Sequence, residues 1–178
     1  MPQKLLTRLK YAQPKDAHVL SELFSTSWRG AYRGIIPHKQ LEAIINYRNT
    51  KWWAKTLAGT HNLIIITFDE TVIGYANFGQ LRNLPPVNLH IPPGNHTGEI
   101  MELYLSPDYQ GLGFGRQLFI AACTELRKRK MQKLLVWALS KNNIACDFYT
   151  QLGGKKCAQT EERFGTAMLK KTGFLWTF

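Results

Sequence analysis

The stretch Tyr109-Gln110-Gly111-Leu112-Gly113-Phe114-Gly115-Arg116 holds the residue types and spacing most suggestive of chemistry. It leaves a strand-like segment, Glu99 to Leu105, and enters a helix-like one. Glycine lets a backbone turn tightly and come close to a ligand. The free N–H groups at a helix start, with the helix dipole, then attract an anion. Pyrophosphate suits such a turn. Two familiar phosphate motifs fail here. A P-loop ends in Gly-Lys-Ser/Thr, whereas this chain has Gly115-Arg116-Gln117. A dinucleotide fingerprint reads Gly-x-Gly-x-x-Gly with an acidic residue about 20 positions later. Here the glycines are Gly111, Gly113 and Gly115, and the later position is the apolar Leu135. Two carboxylates, Glu99 and Glu102, precede the turn on one strand. Odd and even positions point to opposite faces unless a bulge intervenes.

The surrounding elements follow from periodicity and turn chemistry. Leu5 to Tyr11 reads as a strand. Pro14 opens a helix, with Ala17, Leu20, Leu23, Phe24 and Trp28 at helical spacing, broken at Gly30 to Gly34. Pro37 starts a second helix, with Leu41, Ile44 and Ile45 on one face, running to Leu57 with a break near Asn49. Leu63 to Phe68 and Thr71 to Phe78 form a hairpin around Asp69-Glu70. Gly79 to Gly98 is a long, proline-rich loop, and such loops are often functional. After the glycine turn come a helix from Gly113 to Lys130, a strand from Lys133 to Leu139 and a helix from Asn142 to Leu152. Strands Lys155 to Thr160 and Thr166 to Trp176 finish the chain. A βαβ unit in the second half requires a partly parallel sheet.

The chain has 178 residues, 44% hydrophobic and 20% charged, as expected of a single globular domain, 1–178. No apolar run resembles a leader or a membrane span, so a cytoplasmic protein without membrane contact is expected. Cys123, Cys146 and Cys157 lack Cys-x-x-Cys spacing, and no His pair stands at zinc-ligand spacing near them, so no metal site is expected. The net charge of +11 favours acidic partners such as nucleotides. The cluster Arg127, Lys128, Arg129, Lys130 and Lys133 reads first as a helix end complemented by positive charge. No helix-turn-helix, zinc-finger or RNA-binding signature accompanies it.

Gln110-x-x-Gly113-x-Gly115 matches Gln/Arg-x-x-Gly-x-Gly/Ala, the acetyl-CoA pyrophosphate motif of the GNAT superfamily of N-acetyltransferases. Glu99-Ile100 and Leu103-Tyr104-Leu105-Ser106-Pro107 resemble the strand before that motif. Asn142-x-x-Ala145-x-x-Phe148-Tyr149-x-x-x-Gly153 resembles the downstream helix, and Ser27-Trp28-Arg29-Gly30-Ala31-Tyr32-Arg33-Gly34 the substrate-side segment. The element order agrees as well. The resemblance implies an α/β fold, a mixed twisted sheet of about seven strands with helices on both faces.

It also implies roles. The backbone of Leu103, Tyr104 and Leu105 pairs with the pantetheine arm like an added strand and polarises the thioester. Gln110, Gly111, Leu112, Gly113, Phe114, Gly115 and Arg116 hold the pyrophosphate, and Asn142 bonds the CoA arm or simply caps its helix. Tyr149 protonates the leaving thiolate. Glu99 is the first choice for the base that takes the amine proton, Glu102 the second, with His90 and His96 further alternatives. Trp28, Tyr32 and Trp53 line the acceptor side. The expected reaction is direct transfer of acetyl from acetyl-CoA to a primary amine in a ternary complex. The alternatives are a larger acyl group, a silent CoA-binding sensor or a basic nucleic-acid-binding module. The acceptor itself is not legible, and exposed final strands would suit a homodimer.

Overall fold

A computed structural model describes residues 6–59, 62–82 and 96–178. Seven strands form one sheet: β1 (Thr7–Tyr11), β2 (Leu63–Phe68), β3 (Thr71–Gln80), β4 (Thr97–Leu105), β5 (Lys133–Leu139), β6 (Lys155–Phe164) and β7 (Ala167–Thr177). Their spatial order is β1-β2-β3-β4-β5-β7-β6. Only β4 and β5 run parallel, and every other pair is antiparallel. The helices are α1 (Ala17–Tyr32), α2 (His38–Tyr47), α3 (Thr50–Gly59), α4 (Phe114–Lys128) and α5 (Asn143–Gln151).

The apolar run Leu63 to Ile66 shows why helices cover both faces. Its side chains alternate across the sheet, and both sets are buried, as expected of a strand sandwiched between layers. Leu63 and Ile65 join a core with Leu20, Phe24, Leu41, Trp53 and Leu57 from α1, α2 and α3. Ile64 and Ile66 join a second core with Phe114, Leu118, Phe119 and Tyr149 from α4 and α5.

Three boundaries differ from the sequence reading, and one expected break is found. Helix α1 continues through Gly30 to Tyr32, because a single helical glycine weakens a helix without ending it. The expected break near Asn49 is a true end: the Asn49 side chain accepts from the N–H groups of Lys51 and Trp52 and starts α3. The β3–β4 connection is shorter than Gly79 to Gly98, since β3 reaches Gln80 and β4 starts at Thr97. Strand β6 extends to Phe164, held along its length by β7.

Candidate active site

The central β4–β5 pair splits. It is hydrogen-bonded only from Thr97–Lys133 to Ile100–Val136. Past that point β4 pairs with β3 alone and β5 with β7 alone among the described residues. The β5-facing backbone of Met101 to Leu105 is therefore an open strand edge inside a sheet. An extended ligand can add to such an edge through main-chain hydrogen bonds.

A second irregularity lies at the same place. Asn77 faces Glu102 and Phe78 faces Ile100, so Met101 has no partner in β3. This bulge shifts the alternation of side chains by one. Ile100, Leu103 and Leu105 point toward α4 and α5, and Tyr104 toward α1 to α3. Glu99 and Glu102 thus share the α1–α3 face, where a regular strand would have separated them.

The glycine turn closes one end of the split. Pro107–Tyr109 makes a short 3-10 turn, and the Gln110 side chain donates to the Leu105 carbonyl at 3.3 Å. Gly111 (φ 75°) and Gly113 (φ 85°) take left-handed backbone angles that side-chain-bearing residues rarely adopt. Gly113 caps α4 with no side chain on the helix start. The first bond into the helix runs from the Gln117 N–H to the Gly113 carbonyl, at 3.2 Å. The N–H groups of Phe114, Gly115 and Arg116 precede it and face outward. A Cβ on Gly115 would stand 3.3 Å from both Leu105 and Phe148, so glycine lets α4 sit close to β4 and α5. The Phe114 side chain is core, leaving only its backbone for a ligand, while Leu112 and Arg116 are exposed.

Tyr149 stands on α5, and Asn142 caps that helix by accepting from the Ala145 N–H at 3.2 Å. The capping reading of Asn142 is thus observed, and its amide N–H₂ remains available as a donor. Tyr149 is 6% exposed, among Phe119, Phe148, Phe174 and Trp176. Burial pushes its phenol far above the ordinary value, and the Tyr32 phenol raises it further. Tyr32 comes from α1, across the sheet, and its hydroxyl is 2.7 Å from that of Tyr104. Trp28 packs on Phe24, Tyr32 and Tyr104, and its buried indole N–H has no partner among the described residues. Trp53, expected on the acceptor side, is 0% exposed and belongs to the core.

Both carboxylates are held by arginines that sequence reasoning missed. Glu99, 2% exposed, accepts from Arg82 three times: Nη2 at 2.6 Å, Nε at 3.0 Å and the backbone N–H at 3.2 Å. Glu102 pairs with Arg48 and accepts from the Tyr75 hydroxyl at 3.2 Å. The Arg48 guanidinium lies 4.2 Å from the Trp52 ring centroid and 4.6 Å from that of Phe24, a cation–π enclosure. No local pattern marks Arg48 or Arg82, since each meets its carboxylate across long sequence separations. Of the alternative bases, His96 precedes β4, at the end away from Tyr104, and is exposed. His90 lies outside the described residues. The three thiols are free, and burial raises each, Cys123 to about 12, so they stand as thiols and not as nucleophilic thiolates.

A family model described as the acetyltransferase (GNAT) family matches residues 19–154, and the chain belongs to that family of acyltransferases. It is similar to an uncharacterized N-acetyltransferase, YuaI, of Bacillus subtilis (strain 168), 25% identical over 175 residues, covering 96% of this chain and 93% of YuaI. It is also similar to a spermidine N(1)-acetyltransferase of Thermoplasma acidophilum, 24% identical over 147 residues, covering 79% of this chain and 83% of that one. Its fold is that of the PaiA N-acetyltransferase of Thermoplasma acidophilum in complex with coenzyme A (TM-score 0.75, 17% identity, 97% of this chain and 99% of that one). Among the described residues no helix is long and apolar enough to cross a membrane.

Proposed function

We propose that this protein transfers the acetyl group of acetyl-CoA to a primary amine by direct attack in a ternary complex. The observation that carries the reading is the β4–β5 split, followed by a glycine turn with no side-chain cap on its helix, and with Tyr149 in the same core as Leu105 and Phe114. The residues fit the cofactor: an open strand edge for an extended arm, free N–H groups for a pyrophosphate, and no Cβ at Gly115 to keep α4 away. Bound there, acetyl-CoA supplies an activated thioester.

The chain's own groups then have defined work. The N–H groups of Gly113 to Arg116 hold the pyrophosphate, and the Gln110 side chain braces the turn. Leu103, Tyr104 and Leu105 align the arm through their backbone and donate to the carbonyl oxygen as it turns negative. Asn142 donates to the arm. Trp28 and Tyr32 line the acceptor side. The amine nitrogen attacks the carbonyl carbon, and the C–S bond breaks. Tyr149 gives its proton to the sulfur. A phenol raised by burial keeps that proton at any working pH.

An alkylamine near pKa ~10 must also lose a proton. Glu102 is the better placed acceptor of it, through a water. It is the more exposed of the two carboxylates, and the bulge turns it to the acceptor face beside the split. Glu99, the first choice from sequence, is enclosed by Arg82.

The test is thermal unfolding with acetyl-CoA, CoA and ATP, followed by thiol release against a panel of amines. A ligand of the native state raises its stability. A rise with acetyl-CoA and CoA but not ATP, with amine-dependent thiol release, is expected. No rise at saturating acetyl-CoA refutes the reading. The spermidine-acetylating relative puts polyamines on the panel.

A further inference from the structure

Two arginines hold the two carboxylates of β4, and the register sets the pairs apart. Glu99 lies in the stretch of β4 that pairs with β5, opposite Leu135. Glu102 lies past Ile100, where β4 has left β5 and, among the described residues, pairs with β3 alone. Tyr104 follows two positions on, with its hydroxyl 2.7 Å from that of Tyr32. Arg48 is one of the two residues between α2 and α3, and its N–H still bonds the Ile44 carbonyl at 3.1 Å. Its guanidinium pairs with Glu102 Oε1, and the Tyr75 hydroxyl donates to Oε2 at 3.2 Å. A donor on each oxygen stops the carboxylate from turning. A carboxylate has about four lone-pair sites, so this one can still accept from a water or an amine.

The arginine is itself fixed. Its guanidinium lies 4.2 Å, 4.6 Å and 5.2 Å from the ring centroids of Trp52, Phe24 and Trp53. Its side chain is 15% exposed and that of Glu102 13%, whereas that of Arg82 is 65% exposed. Stability does not account for so enclosed a pair. Taking two charges out of water cancels most of their attraction, and apolar side chains of the same volume do as well or better. An apolar pair cannot hold a carboxylate oxygen at one point beside the split.

We infer that Arg48 is a positioning residue, which fixes the Glu102 carboxylate for the step in which the acceptor amine loses its proton. This rests on the reading of Glu102 as the base given above.

Thiol release is first measured with spermidine, 1,4-diaminobutane, 2-phenylethylamine and the free α-amino acids, and the fastest amine is kept. Arg48→Ala should lower kcat about tenfold or more. KM for that amine and stabilisation by acetyl-CoA should stay within about twofold of wild type, whereas a merely structural loss would disturb both. Guanidinium chloride at about 50 mM, far below denaturing concentrations, should refill the space between the rings and raise the kcat of Arg48→Ala about threefold or more. Sodium chloride at the same concentration should not. In a Glu102→Gln background the arginine has no carboxylate to hold, so adding Arg48→Met should lower kcat by less than about twofold. A wild-type kcat in Arg48→Ala, no response to guanidinium, or a larger fall in the double variant overturns the inference while acetyl transfer stands. The double variant buries no unpaired charge, so it decides even if Arg48→Ala fails to fold. A wild-type kcat in Glu102→Gln removes the base reading and this inference with it. No thiol release with any amine removes the transferase reading as well.

Discussion

The two sides of β4 are furnished by different means. Toward α4 and α5, Tyr149 and Asn142 apart, the site is made of backbone: an open strand edge, free N–H groups, Gly111 and Gly113 in left-handed conformation, and Gly115 with little room for a side chain. Toward α1, α2 and α3 it is made of side chains brought from afar. Arg48 meets Glu102 across 54 residues, Tyr32 meets Tyr104 across 72, and Ser27 reaches the Leu105 carbonyl across 78. Main-chain groups recognise what every acyl donor of one type shares. Side chains can be exchanged without disturbing the turn, so they suit the partner that differs between relatives. The division predicts that changes on the first side alter the handling of acetyl-CoA, and changes on the second alter only the acceptor.

The sharpest way to break that division is Tyr149→Phe. It removes the proton donor and leaves the ring packing, so kcat should fall about 100-fold or more for every acceptor. Stabilisation by acetyl-CoA should persist, and an unchanged rate would remove Tyr149 as the acid. Next is Gly115→Val, which forces a side chain against Leu105 and Phe148. Thermal shift by acetyl-CoA should weaken at least tenfold in apparent affinity. Glu102→Gln should lower kcat by about tenfold or more with little effect on that shift, and a larger effect from Glu99→Gln would return Glu99 to the base role.

Alkaline pH probes the enclosure itself. Burial raises the phenols of Tyr75, Tyr104 and Tyr149, and Tyr32 to about 12. A raised phenol adds stability that is fully present below its unfolded value near ~10 and is lost as pH climbs through the folded value. Denaturant midpoints should therefore drop steeply above about pH 10, beyond a smaller decline from Cys123 that begins near ~9, and Tyr149→Phe should soften the slope. The smallest expected effect is Ser27→Ala, which removes the 3.1 Å hydrogen bond from Ser27 Oγ and leaves the Leu105 carbonyl to Gln110, and it should cost about 1 kcal/mol or less by denaturant titration.

Most of the frame was legible in the chain. The glycine turn shows in sequence because left-handed angles at Gly111 and Gly113 demand the residue itself. The strands and helices show because their periodicities are local, as Leu63 to Ile66 and the α1 positions demonstrate. Asn142 as a helix cap is likewise a local contact. Gly30 does not end α1, because its propensity is weak against the packing of α1 on α3 and the sheet.

Which groups meet is fixed by the packing of distant segments. The bulge at Met101 comes from the register of β3 against β4, not from any residue preference at that position, and it alone puts Glu99 and Glu102 on one face. The arginines that hold those carboxylates gain their partners only after the chain has closed loops of 17 and 54 residues. Contacts of that kind leave no period and no spacing behind, so the acceptor side stays silent in sequence while the cofactor side, written in backbone geometry, can be read from it.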